Sequence, residues 1–158
     1  MDERAAQLIA VLGLHPHPEG GHFREVFRAG AEVEPRDGRG TRSALTTIYF
    51  LLRAGEVSRL HRVASDEAWH FYEGDPLELG WLDAQGTFRR VRLGPVGEAA
   101  APVAVVPAGC WQAARPLGAY ALVGCSVGPG FDFADFELVS RETAATLPET
   151  VPRWALPA

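Results

Sequence analysis

The stretch from Gly55 to Gly74, GEVSRLHRVASDEAWHFYEG, restricts the fold more than any other part of the chain. Leu60, Val63, Trp69, Phe71 and Tyr72 are strand formers, Ala64-Ser65-Asp66 has the composition of a turn, and a glycine stands at each end. The expectation is two short strands folded back on each other, so that His61 meets Glu67. Alternation puts Arg59, His61 and Val63 on one face of the first strand. It puts Glu67, Trp69 and Phe71 on one face of the second, with His70 opposite, so His70 joins the same site only if a bulge turns it inward. An imidazole facing a carboxylate has two uses: it binds a divalent ion, or it forms an oriented acid–base pair.

The flanking segments repeat the pattern of short strands between breakers. Phe23 to Arg28 alternates, with Phe23, Glu25 and Phe27 on one face and His22, Arg24, Val26 and Arg28 on the other. That second face either meets an anionic ligand or is solvated. Ser43 to Leu52, Leu77 to Leu82, Thr87 to Leu93, Val103 to Val106 and Tyr120 to Val127 are further strands. Ahead of them, Asp2 to Leu14 spaces Ala5, Leu8, Ile9 and Leu12 as one helical face, and Gly13 is suited to stop it. His15 to Gly21, HPHPEGG, has no periodicity and reads as a loop. Its His15 and His17, with His22, are expected to fix that loop or lie at the surface rather than bind a metal. Phe131, Phe133, Phe136 and Leu138 form an apolar stripe that seals either one end of a barrel or a subunit interface. The tail around Trp154 is expected to hold a short helix and an extended end.

Seventeen glycines and 12 prolines in 158 residues suit a turn-rich β protein with one core. The net charge of −5 argues against a general nucleic-acid surface, and no apolar run is long enough to span a membrane. The acidic N-terminus lacks the basic segment of a secretion signal, so a cytoplasmic location is expected. Cys110 and Cys125 stand at no metal-like spacing and read as buried thiols.

Gly55, His61, Glu67 and Gly74 also stand at the spacing of the first cupin motif, in which a second histidine normally occupies the place of Val63. Pro107-Ala108-Gly109 followed by Gln112 resembles the second cupin motif, with glutamine where histidine is usual. In order along the chain, HPHPEGGHFREVFR, TTIYFLL, HRVASDEAWHFYEGDPLEL, VPAGCWQAARP and CSVGPGFDFADFEL resemble the small cupin family DUF985 (Cupin_5). The resemblance implies an all-β, double-stranded β-helix (an RmlC-like jelly roll) with a short N-terminal helix, as one cupin domain over residues 1–158 that pairs as a homodimer.

Three functions are compatible with this pattern. The first is a barrel that binds a small polar or anionic metabolite, such as a sugar nucleotide, and acts as a metal-independent epimerase or isomerase. His61 oriented by Glu67 is then the base and Tyr49 the acid, as the resemblance to cupin sugar epimerases implies. Arg24 and Arg59 hold an anionic group, and Trp69, Phe71, Trp111 and Gln112 line the pocket. The second is a cupin enzyme with a weakly bound divalent metal at His61, Glu67 and Gln112; no cofactor is otherwise expected. The third is a non-catalytic small-molecule binder.

Overall fold

The structure is a computed structural model and describes residues 2–158. The Asp2 carboxylate accepts the Ala5 amide at 3.0 Å and caps helix α1 (Glu3–Leu12), which Gly13 ends in the left-handed conformation. Ala5 and Leu8 are its buried residues, packed on Leu51 and Leu122. Full burial of one leucine is worth roughly 1.5–3 kcal/mol, so the apolar stripe of α1 docks it on the sheet.

Thirteen strands follow among the described residues. The first six are β1 (His15–Pro16), β2 (His22–Arg28), β3 (Glu32–Val33), β4 (Arg42–Ser43), β5 (Thr46–Arg53) and β6 (Ser58–Arg62). The next four are β7 (Asp66–Gly74), β8 (Leu77–Leu82), β9 (Phe88–Leu93) and β10 (Val103–Val106). The last three are β11 (Gln112–Pro116), β12 (Tyr120–Gly128) and β13 (Glu137–Leu138), the last preceded by a 3-10 turn at Phe133–Asp135. The tail carries α2 (Arg141–Ala144) and a second 3-10 turn, Arg153–Ala155.

The strands build two antiparallel sheets, ordered β1-β2-β5-β12-β7-β10 and β13-β6-β11-β8-β9, with β3 and β4 as a separate hairpin. This is the expected jelly roll. Phe50, Leu52, Trp69, Leu77, Leu79, Leu93 and Val123 from both sheets fill the space between them. On the other face of the five-stranded sheet, Leu60, Phe88, Trp111 and Ala113 pack against Val139, Val151 and Ala155 of the C-terminal tail.

The structure corrects one local expectation. β6 and β7 do not pair with each other: β6 lies between β13 and β11, and β7 between β12 and β10. Val63 to Ser65 carries the chain from one sheet to the other, and β7 finds a long ladder with β12, from Gly74 beside Ala121 to Asp66 beside Gly128. The two halves of the Gly55–Gly74 stretch therefore approach across the barrel interior, not along a ladder. β11, which carries Gln112, is a strand that propensity did not announce.

Leu79 has no solvent exposure and touches the centre of the main core. Leu79→Ala is expected to lower stability by roughly 2–5 kcal/mol, read as the shift in urea unfolding midpoint at constant slope.

Candidate functional site

Between the sheets lies a cavity of about 590 Å³. Its buried wall carries Glu19, Thr46, His61, Val63, Glu67 and Cys125. The ladder between β2 and β5 slips between Glu25 and Phe27, and Phe23, Glu25 and Arg28 all line the cavity despite the parity that strict alternation would assign. Arg24, Glu25 and Arg28 are exposed at its rim, and Phe131, Phe133 and Phe136 stand around its mouth.

Glu19 reaches this interior from the HPHPEGG loop. The loop is tight: the His17 amide donates to Gly21 O and the Gly20 amide to His17 O, each at 3.0 Å. Gly20 has φ 114°, and a Cβ there would fall 2.1 Å from the Val57 carbonyl oxygen, so only glycine lets the loop lie against β6. Arg59 clamps it from that strand. Its amide donates to Glu19 O at 2.9 Å and its guanidinium to Pro18 O at 2.6 Å.

Held this way, Glu19 places Oε2 2.8 Å from His61 Nε2. The other ring nitrogen, Nδ1, is 2.7 Å from the Arg59 carbonyl oxygen. Both partners are acceptors, so both nitrogens donate and the ring is an imidazolium. Burial opposes that charge, but the Glu19 charge and hydrogen bond, aided by Glu67, outweigh it and raise the His61 pKa from 6.5 to about 9. Burial likewise opposes ionisation of Glu19, yet His61, then His17 and the Ser58 hydroxyl, hold its carboxyl below the usual range. His17 accepts the Glu19 amide at Nδ1, and burial keeps its pKa below 6.5, so it stands neutral with the proton on Nε2.

Glu67 lives in a different environment. One oxygen accepts the Gln112 amide at 2.8 Å, the Gln112 oxygen accepts the Trp69 indole N–H at 3.0 Å, and the Cys125 thiol also hydrogen-bonds the carboxyl. No ion pair reaches Glu67 among the described residues. Burial, only partly offset by His61 and reinforced by the Glu19 charge, raises its pKa from 4.5 to about 7.

The structure thus brings His61, Glu67 and Gln112 together but corrects how they connect. His61 is oriented by Glu19, not by Glu67, and its two engaged nitrogens leave no lone pair to take a proton. Alternation turns Tyr49 outward with Leu51, against the helix-facing cluster and Tyr72, while Ile48 and Phe50 face the interior; Tyr49 does not line the cavity. Arg59 serves the loop backbone. Trp69 and Phe71 belong to the core beneath the cavity, and Trp111 lies on the far face of the five-stranded sheet under the Arg62 guanidinium. Arg24 is at the rim, where Nη1 donates to Leu12 O at 3.2 Å. His70 sits on the outward face of β7, and His22 faces Glu56 at 3.9 Å.

Sequence reasoning missed Glu19, His17, Thr46 and Cys125. The one available signal was an acid beside two histidines in a loop stiffened by Pro-x-Pro and Gly-Gly.

The four positions that hold metal in many cupins do not fit a divalent ion here. Val63 has no donor atom, His61 has no free lone pair, and the Gln112 oxygen is a weak neutral ligand that already accepts from Trp69. Among the described residues no three His, Cys, Asp or Glu side chains are grouped to hold one.

The pattern of the Cupin_5 family, described as "Cupin superfamily (DUF985)", matches residues 6–139. The chain belongs to the cupin superfamily. A hypothetical protein from Leishmania major is 36% identical over 90% of each chain, with TM-score 0.84. A protein of Shewanella oneidensis is also 36% identical, over 90% of this cupin and 89% of its own length, with TM-score 0.82. A variant of Bacillus subtilis oxalate decarboxylase shares the fold at TM-score 0.58 and 17% identity, over 80% of this cupin and 30% of that chain. No curated protein matches the cupin significantly. No helix among the described residues is long and apolar enough to cross a membrane.

The raised pKa of His61 means that the folded chain holds this proton more tightly than the unfolded one. Its stabilising contribution is full below pH 6.5 and is lost as pH rises towards 9. Urea unfolding at pH 6.5 and pH 9 is expected to show this fall in the wild type and a much smaller one in Glu19→Gln. An equal fall in both proteins would mean that Glu19 does not hold the charge on His61.

Proposed function

We propose that this cupin binds a small polar metabolite in the cavity and transfers protons on it without a metal, as a sugar epimerase or isomerase does. The observation that carries the reading is Glu67: a buried carboxyl in the wall of a 590 Å³ cavity, hydrogen-bonded but not ion-paired, with a pKa of about 7. A general base works best when its pKa lies near the working pH, because it is then both ionised in part and able to hold the proton.

The other groups take the supporting roles. Glu67 takes the proton from a carbon next to a carbonyl and returns it. The His61 imidazolium is a fixed positive charge that favours the enolate formed between those steps. His17, with its proton fixed on Nε2, is the neutral donor available to the carbonyl oxygen. Arg24 at the rim has no carboxylate partner among the described residues, and this supports a role in meeting an anionic part of the metabolite outside the cavity wall.

A homodimer is part of the same proposal. β10 is an edge strand, and its Val103 and Val105 are 47% and 50% exposed. A second copy would cover them. Light scattering of the wild type is expected to give twice the chain mass, and Val105→Glu is expected to shift it towards one.

The catalytic reading is tested by incubating the cupin in deuterated water with keto sugars and sugar nucleotides and following loss of the carbon-bound proton by NMR. Exchange is expected, and Glu67→Gln should slow it by roughly 10²–10⁴-fold, the range of one general acid–base group. Saturable binding with no exchange would sink the enzyme and leave a binding protein.

A further inference from the structure

We propose that the cavity takes a small molecule bearing a protonated amine, its ammonium seated at Glu67 and its organic part against the phenylalanines of the mouth. The inference rests on the cavity being the binding site, not on proton transfer within it.

The buried charges argue for it first. Glu19 and Glu67 are 6% and 7% exposed, and among the described residues His61 is the one buried cation beside them. Glu19 occupies His61 Nε2 at 2.8 Å, and the Arg59 carbonyl occupies Nδ1. The two carboxylates and one imidazolium are therefore short of one positive charge whenever Glu67 ionises. The groups that hydrogen-bond Glu67 do not supply it: Gln112 on β11 and Cys125 on β12 carry no cation. Burial first, and then the Glu19 charge, disfavour that ionisation, and His61 offsets them only in part.

An anion would fare badly in the same place. It would meet Glu19 and Glu67 and find no free N–H on His61. The two arginines of the lining, Arg24 and Arg28, stand at the exposed rim and not on the buried wall. Arg28 is exposed and held by Glu25 at 2.6 Å and by the Phe131 carbonyl at 3.0 Å, and Arg24 is exposed at the rim.

The mouth supplies the second, independent argument. Phe131 and Phe133 lie edge-to-face with centroids 4.9 Å apart, Phe133 and Phe136 stand 5.9 Å apart, and Phe133 is 54% exposed. Ring faces attract cations and cover apolar groups, so a ring of phenylalanines above a buried carboxylate is the chemistry that recognises an organic ammonium. A phosphate or carboxylate gains nothing from either layer.

Three probes of one shape separate charge from bulk: benzylamine, benzyl alcohol and benzoate, titrated by calorimetry into the full chain at pH 7. Benzylamine is expected to bind at least about tenfold tighter than benzyl alcohol, the scale of one charge-assisted hydrogen bond, with benzoate weakest. Buffers of different ionisation heat should show proton release on amine binding, as Glu67 gives up its proton. Glu67→Gln should erase the preference for the amine while still binding the alcohol, which shows that the variant's cavity is intact. The proposal falls if benzoate binds as tightly as benzylamine, if amine and alcohol bind alike, or if the preference survives in Glu67→Gln. Equal binding of all three would leave the cavity as a binding site and overturn only the amine. Binding of none would overturn the amine proposal and leave the sugar reading to its own exchange test.

Discussion

The Glu19–His61 ion pair joins the part of this cupin that has no regular structure to the part that is all ladder. A buried pair of this kind contributes little net stability compared with apolar residues of the same size, because desolvation offsets most of the attraction. Removal of one partner is another matter: it strands a charge in the interior and costs about 3–5 kcal/mol. The pair therefore acts as a latch with one permitted position. It forces the HPHPEGG loop into the barrel, and the loop in turn needs Gly20 against the Val57 carbonyl and the Arg59 clamp to lie there. His61, Glu19 and Arg59 form one unit in which each residue fixes the next.

What the latch does for Glu67 is electrostatic. The imidazolium beside Glu67 favours its ionisation, and the Glu19 carboxylate disfavours it; the two oppose each other, and burial decides. Gln112 then matters for direction more than for charge. Its oxygen is tied to the Trp69 indole, so its amide can only present N–H groups to Glu67. A histidine in that place would offer a lone pair or a proton according to its tautomer, and a metal could draw on it. The glutamine, with Val63 across the wall, turns a donor set into a hydrogen-bond scaffold around one carboxyl.

Most of the fold was legible because alternation and turn residues are local. Leu77–Leu82 and Val103–Val106 have the limits that propensity and breakers predict, and α1 stops at the Gly13 that suits its end. The site was legible only in part. The spacing of His61, Glu67 and Gln112 marks them as neighbours, but parity says which residues share a face, not which face is inside. Tyr49 alternates correctly and points the wrong way for catalysis. Trp69 and Trp111 are pocket-like in chemistry, yet one is core and the other is on the far side of its sheet. Glu19 escaped notice because its burial is imposed by Arg59, some 40 positions later, and nothing in the HPHPEGG loop itself records that contact. The phenylalanine stripe at Phe131–Phe136 was visible as a seal; that it rings a cavity mouth depends on the path of the chain after β12.

The cavity is assembled from two classes of material. Most of its deep wall comes from β5, β6, β7 and β12, where Thr46, His61, Glu67 and Cys125 are each a rung in a ladder. Its mouth comes from Phe131, Phe133 and Phe136 in the segment after β12, which owns few rungs. Changes at Phe131, Phe133 or Asp132 therefore alter what is admitted without disturbing strand register, whereas changes at the deep wall do both at once. Relatives that share this barrel are free to diverge in what they admit long before they diverge in what they do to it.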